Sequence, residues 1–243
     1  MPSTKDLWDA AKSGNVDRLS ALIAANASVD ANDHAFSTPL HVAAKNGHSG
    51  AVQVLVDAKA RLEVRNSKAE TPLQVAASHG HIGAVLVLID AKADVDTADS
   101  FGFTVLHKTT AKGHGEVVKM LVNAHASVDF SVSTTPLHTA AGNGHNMIMQ
   151  TLVDAKANVN IRAYHGWSPL HEAAFCGHSD TVQLLVDAGA TVDGRDNNAW
   201  TALHAAVQAC RTEVLQVLLD ASASFATGGD FNTDSLLSAA ARG

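Results

Sequence analysis

Cysteine, tyrosine, proline and basic residues are all in short supply here. Two cysteines in 243 residues are too few for a disulfide framework. Aromatic residues make up only 5% of the chain against 46% hydrophobic residues overall, so small aliphatic side chains must do most of the packing. Lys and Arg number 17 against 24 Asp and Glu, for a net charge of −7 and a pI near 6.0. That balance lacks the clustered Lys/Arg of a sequence-independent grip on nucleic acid. No run approaches the length of a membrane span. The amino terminus lacks the basic segment and apolar run of a secretion signal. There is no Cys-x-x-Cys pair, glycine-rich phosphate loop or nucleophile elbow. His171-Glu172 begins like a zinc-protease helix, but the second histidine position is Phe175. No catalytic group, metal or cofactor is expected.

What the chain does have is one phrase repeated. Thr38-Pro39-Leu40-His41 returns as Thr71-Pro72-Leu73-Gln74, Thr104-Val105-Leu106-His107, Thr135-Pro136-Leu137-His138, Ser168-Pro169-Leu170-His171 and Thr201-Ala202-Leu203-His204. The steps are 33, 33, 31, 33 and 33 residues. A fixed period of this length means stacked units rather than one closed core. Thr or Ser suits a helix N-cap, and Pro suits the first helical position. Leu and a pair of alanines follow, then Gly-His for a turn, then a longer apolar helix. An extended pair such as Val29-Asp30 leads into a hairpin. Leu40, Leu73, Leu106, Leu137, Leu170 and Leu203 are predicted to be buried. In the first unit, residues 5–14 and 15–25 are predicted helices, the second with Val16, Leu19, Leu22 and Ile23 on one face.

This period and motif resemble the ankyrin repeat over nearly all of the chain. The resemblance implies an all-α repeat fold, an ankyrin-type α-solenoid of antiparallel helix pairs with projecting β-hairpin loops. Residues 1–243 then form a single array. Residues 1–35 are an amino-terminal capping repeat. Residues 36–68, 69–101, 102–132, 133–165, 166–198 and 199–231 are internal repeats, and 232–243 are a partial repeat, read either as a half-repeat cap or, in preference, as the first helix of an array cut short. Cys176 and Cys210 stand about one repeat apart, where packed helices lie about 10 Å apart. A disulfide needs Cα atoms within roughly 7 Å, so free thiols in a cytoplasmic or nuclear setting are expected.

Several slots depart from the pattern. Gln74 replaces the motif histidine, Thr109-Thr110 the alanine pair, and Cys210-Arg211 the Gly-His turn. The left-handed position after each second helix favours glycine. It is held by Asn26, Lys59, Lys92, His125, Lys156 and Ser222, and by glycine only at Gly189. The two-residue deletion falls between Val128 and Thr135. Ten of the 14 histidines occupy motif slots, and the reading for His41, His107, His138, His171 and His204 is hydrogen bonding at helix starts and between repeats. A metal needs ligands converging at about 2 Å, which residues spaced once per repeat do not supply. Asp30, Asp96, Asp129 and Asp193 share one slot and are read as turn-forming. Asn160 resembles the hairpin asparagine that hydroxylases modify in some ankyrin proteins, beside its reading as a solvated turn residue.

The resemblance implies a non-enzymatic protein–protein interaction module. A concave face of hairpin tips and first-helix flanks would bind a protein or peptide. In the early units that face carries His34, Ala35, Ser37, Lys45, Asn46, Ser67, Lys68, Glu70, Ser78 and His79, which are polar and ordinary. Later it gathers Phe101, Phe103, Tyr164, His165, Trp167, Phe175, Trp200, Asn197 and Gln208, with Phe231 beyond. The fifth unit between the aromatic groups offers only Thr134, Gly142 and Asn143, which implies a recess. Aromatics in hairpins can instead fold over neighbouring helix ends. The expected protein is a monomer with a protein or peptide partner, no nucleic acid and no membrane insertion. The rival readings are a spacer or assembly segment of a larger protein and a small-molecule site in that recess.

Overall fold

The computed structural model describes residues 4–131 and 133–223. The partial repeat at 232–243 and Phe231 lie outside the described residues. The chain divides into two compact units, Met1–Ser127 and Val128–Gly243.

Each unit is built from helix pairs. The first holds α1 (Thr4–Ser13) and α2 (Val16–Ala24), α3 (Pro39–Lys45) and α4 (Ser49–Asp57), α5 (Pro72–Ser78) and α6 (Ile82–Asp90), then α7 (Val105–Ala111) and α8 (Gly115–Asn123). The second holds α9 (Pro136–Asn143) and α10 (Asn146–Asp154), α11 (Pro169–Cys176) and α12 (Ser179–Asp187), then α13 (Ala202–Gln208) and α14 (Thr212–Asp220). Helices of this length are marginal alone in water. Burial against neighbours supplies what propensity does not. Leu40, Leu73, Leu106, Leu137, Leu170 and Leu203 are all buried, as are the alanine pairs beside them. In α2 only Leu19 is fully buried; Val16, expected on the same face, is 39% exposed at the helix start.

From α3 onward each first helix starts with a capping box, and in all of them but α5 an imidazole takes the part usually played by Glu. Thr38 has an extended backbone and its hydroxyl accepts from the His41 N–H. The Thr38 N–H donates to His41 Nδ1 at 3.1 Å. His41 Nε2 then donates to the Glu70 carbonyl of the next repeat at 3.0 Å. His138 and His171 reach the Trp167 and Trp200 carbonyls in the same way, at 2.9 and 3.0 Å. Both partners of each ring fix the neutral tautomer, with Nδ1 accepting and Nε2 donating. Gln74 reproduces the pattern, accepting from the Thr71 N–H and donating to the Thr97 carbonyl. Trp8 stands in the same slot of the first unit, and its indole N–H reaches the Ala31 carbonyl at 3.4 Å.

The Gly-His turn is also a joint between repeats. Gly47 adopts φ +72, and the next repeat's His81 ring lies over it. A Cβ there would come within 2.6 Å of that ring. His81 Nε2 donates to the Lys45 carbonyl at 2.9 Å. His48, His114 and His178 make equivalent bonds to Lys12, Ser78 and Gly142. Where the sequence has Cys210-Arg211, Cys210 takes the left-handed turn at φ +55. Arg211 Nε donates to the Phe175 carbonyl, so the guanidinium replaces the imidazole.

The shared acidic slot is not occupied as expected. Asp30, Asp96 and Asp129 accept the backbone N–H of Arg61, Ser127 and Asn158 in the following repeat. Asn160 does the same for Thr191 and also donates to the Gly189 carbonyl. These residues tie repeats together rather than closing their own turns, and Asn160 is engaged on both sides of its amide. The hairpins contain no strand ladder among the described residues beyond one bridge, Ala98–Thr104. Tight turns close them instead, as in Asn66 N–H to Glu70 carbonyl at 3.0 Å. In α7, Thr109 bonds the Val105 carbonyl, whereas the buried Thr110 hydroxyl has no partner.

Three predictions follow from this scaffold. Leu170→Ala should cost about 2–5 kcal/mol, read by denaturant unfolding; a change within error would contradict its place in the shared core. Lys92 sits at φ +68, where a Cβ costs about 1 kcal/mol. Lys92→Gly is therefore expected to raise the melting temperature. The third concerns pH. Burial holds His138 below its ordinary 6.5, only partly offset by the Trp167 carbonyl. The folded state then binds fewer protons than the unfolded one as pH falls below 6.5. This contribution is whole above 6.5 and is lost as pH drops through the lowered folded value. His138→Gln, bonded as Gln74 is, should show a smaller fall in melting temperature than wild type between about pH 7.5 and about pH 5.5. An unchanged fall would contradict the assignment.

Candidate functional site

Three pairs of neighbouring hairpin tips are joined by backbone bonds. Ser67 N–H donates to Ala35, Tyr164 to Ser133, and Asn197 to His165, at 2.8, 3.1 and 3.1 Å. In these pairs one tip is registered against the next.

In the second unit the structure brings Tyr164, His165 and Trp167 to one recess of about 380 Å³, completed by Ser133, Thr134, Ala163 and Glu172. Tyr164 is 79% exposed and meets the His165 ring edge-on, with centroids 4.8 Å apart. Trp167 is half-buried. It lies beside the His171 ring at 6.0 Å and meets Phe175 edge-on at 5.5 Å. Its indole N–H donates to the Asp196 carboxylate at 3.0 Å, which fixes the ring. The other Asp196 oxygen accepts the Asn198 and Trp200 N–H groups. Trp200 packs beside His204 at 6.4 Å. Asn197 joins through its backbone and through an amide bond to the Tyr164 carbonyl. Asn143 is exposed, and its amide donates to the Thr139 carbonyl of its own helix. Gln208 is exposed near the end of α13 and no described contact draws it into the aromatic cluster.

Phe101 and Phe103 belong to the first unit. Phe101 is 75% exposed at a hairpin tip. Phe103 is half-buried and tilts over the His107 ring at 5.7 Å. Behind them Lys108 pairs with both Glu70 and Asp99 at 2.8 Å. Burial opposes the charge on all three groups, but their mutual bonds outweigh it. Both carboxyls sit below their ordinary range and the Lys108 ammonium above its own.

The early face is less featureless than its sequence suggests. A depression of about 630 Å³ is lined by Ala35, Ser37, Lys45, Asn46, Ser67, Lys68, Glu70 and His79, with Trp8 at one end. Sequence reasoning overlooked Trp8, although stepping back one period from His41 lands on it. It also overlooked Glu172, whose carboxyl is pushed up by burial. Cys176, one turn on, has its thiol pushed up by burial and by the Glu172 charge. Both cysteines are free. Among the described residues there is no cluster of His, Cys, Asp or Glu able to hold a metal ion, and no helix is long and apolar enough to cross a membrane.

Comparison with known proteins agrees with this architecture. A family model described as ankyrin repeats (3 copies) matches residues 7–99, 91–163 and 160–228. The human ASB11 ankyrin repeat domain is similar at 27% identity and TM-score 0.77, covering 88% of this chain and 96% of that one. The ankyrin repeat domain of Bcl-3, a member of the IkappaB protein family, is similar at 26% identity and TM-score 0.79, covering 88% and 97%. No curated protein matches this chain significantly. With a repeated helix pair, the capping-box motif and a family match along nearly its whole length, the chain belongs to the ankyrin repeat family.

Proposed function

We propose that this chain is a non-enzymatic, monomeric interaction module, working in the cytoplasm or nucleus, whose hairpin-tip face binds a protein or peptide segment. The observation that carries the reading is the recess beside Trp167. A large aromatic ring stands half-exposed at its wall, pinned by Asp196 and backed by His171 and Phe175. A rigid aromatic anchor beside a preformed recess lowers the ordering cost of binding, and such residues dominate interface energies. Trp200, Tyr164 and Asn197 extend the same surface, and Phe101 and Phe103 offer aromatic rings in the first unit.

The Trp200 and Trp167 carbonyls, not their side chains, hold the histidines of the preceding repeats. Truncating the rings therefore leaves those ties in place. The Trp167→Ala/Trp200→Ala double variant should lose its binding partner in affinity capture while unfolding within a few degrees of wild type. Melting of the second unit in that variant would show instead that the rings belong to the core.

A further inference from the structure

In the first helices from α3 onward, the fourth residue after the N-cap carries a charge in two repeats. It is Val42, Val75, Thr139 and Ala205 in four repeats, Lys108 in one and Glu172 in another. Lys108 is satisfied from two fixed places. Glu70 precedes the N-cap of the repeat before, and Asp99 lies five residues before Lys108's own N-cap. The corresponding places around Glu172 are Thr134 and Ala163. Neither carries a charge, and both line the recess together with Glu172. The Glu172 carboxylate therefore has no salt bridge or hydrogen-bond donor among the described residues, and burial alone acts on it, pushing its carboxyl above the ordinary range. A charge left in that state is costly unless something pairs with it.

The remaining lining says what that partner would be. Tyr164, His165 and Trp167 are among the lining, and aromatic faces attract cations. The site offers one carboxylate and ring faces. That suits a compact ammonium better than a guanidinium fork, which pairs with several acceptors in one plane.

We propose that this recess receives the alkylammonium group of a lysine side chain, bare or methylated, presented by a protein partner and held between Glu172 and the Tyr164–Trp167 aromatic wall. The proposal rests on the interaction-module reading above and adds the chemistry of what is bound.

The test titrates the full ¹⁵N-labelled chain with the capped tripeptide Gly-Lys-Gly, its trimethyllysine form and its norleucine form. The readout is the Trp167 indole N–H resonance, identified by its loss in Trp167→Ala. Both cationic peptides are expected to shift that resonance, and the norleucine peptide to bind roughly tenfold more weakly or not at all. Glu172→Gln should weaken the cationic peptides by a similar factor. It should melt at the same temperature or higher, because it removes an unpaired charge. Equal binding of norleucine, or undiminished binding by Glu172→Gln, would overturn the proposal. It would leave the module reading intact, since that reading stands on partner capture by the tryptophan face. Choline binding more tightly than the trimethyllysine peptide would assign the recess to a free metabolite and overturn the protein-borne source.

Discussion

Helices of seven to ten residues, each apolar along one side, cannot hold themselves together in water. Every other feature of this molecule answers that constraint. The alanine pairs let one repeat's first helix lie close against the next, and the motif leucines fill what remains. Stability in such a protein is a sum over interfaces between repeats, with no single centre. Polar groups at those interfaces then have to be satisfied across the joint, because water is excluded there.

The joint is specified by hydrogen-bonding function more than by residue type. One slot needs an acceptor for the N-cap amide and a donor for the next repeat. Histidine meets it in most repeats, Gln74 meets it with a carboxamide, and Trp8 supplies the donor half alone. A second slot needs a donor that can lie over a left-handed residue. His81 fills it above Gly47, and Arg211 fills it above Gly177. A third needs an acceptor for the next repeat's backbone, met by Asp30, Asp96, Asp129 and Asn160 alike. Because three chemistries can serve one role, repeats can drift in sequence while the stacking geometry persists. The fourth residue after the N-cap of a first helix is under no such requirement. Lys108 and Glu172 show how far it can diverge.

Much of this fold is legible in the sequence because the period fixes which residues share a slot. Leu40 and Leu203 are buried for the same reason, and Lys92 takes a left-handed backbone because its slot demands one. The local cap of each helix can be read from four consecutive residues. What escapes is chemistry made between neighbouring repeats. Asp96 looks like a turn former when its own hairpin is considered alone, yet its partner is the backbone of Ser127. Trp8 looks like part of a polar cap until it is placed in the histidine slot. For the site, the aromatic side chains beside the fifth repeat are visible as a cluster, and Tyr164, His165 and Trp167 do line one recess. Glu172 is not visible there. Its significance depends on two neighbours being uncharged, and slots read one repeat at a time do not reveal a missing partner.

The most direct measurement is the circular dichroism of one repeat on its own, residues 166–198, beside the whole chain. The account predicts an unordered spectrum for the isolated repeat at every temperature, since its apolar side would face water, and a cooperative helical transition for the full protein. Stable helices in the single repeat would contradict it, because the fold would then rest on local propensity instead of the surfaces that neighbours share.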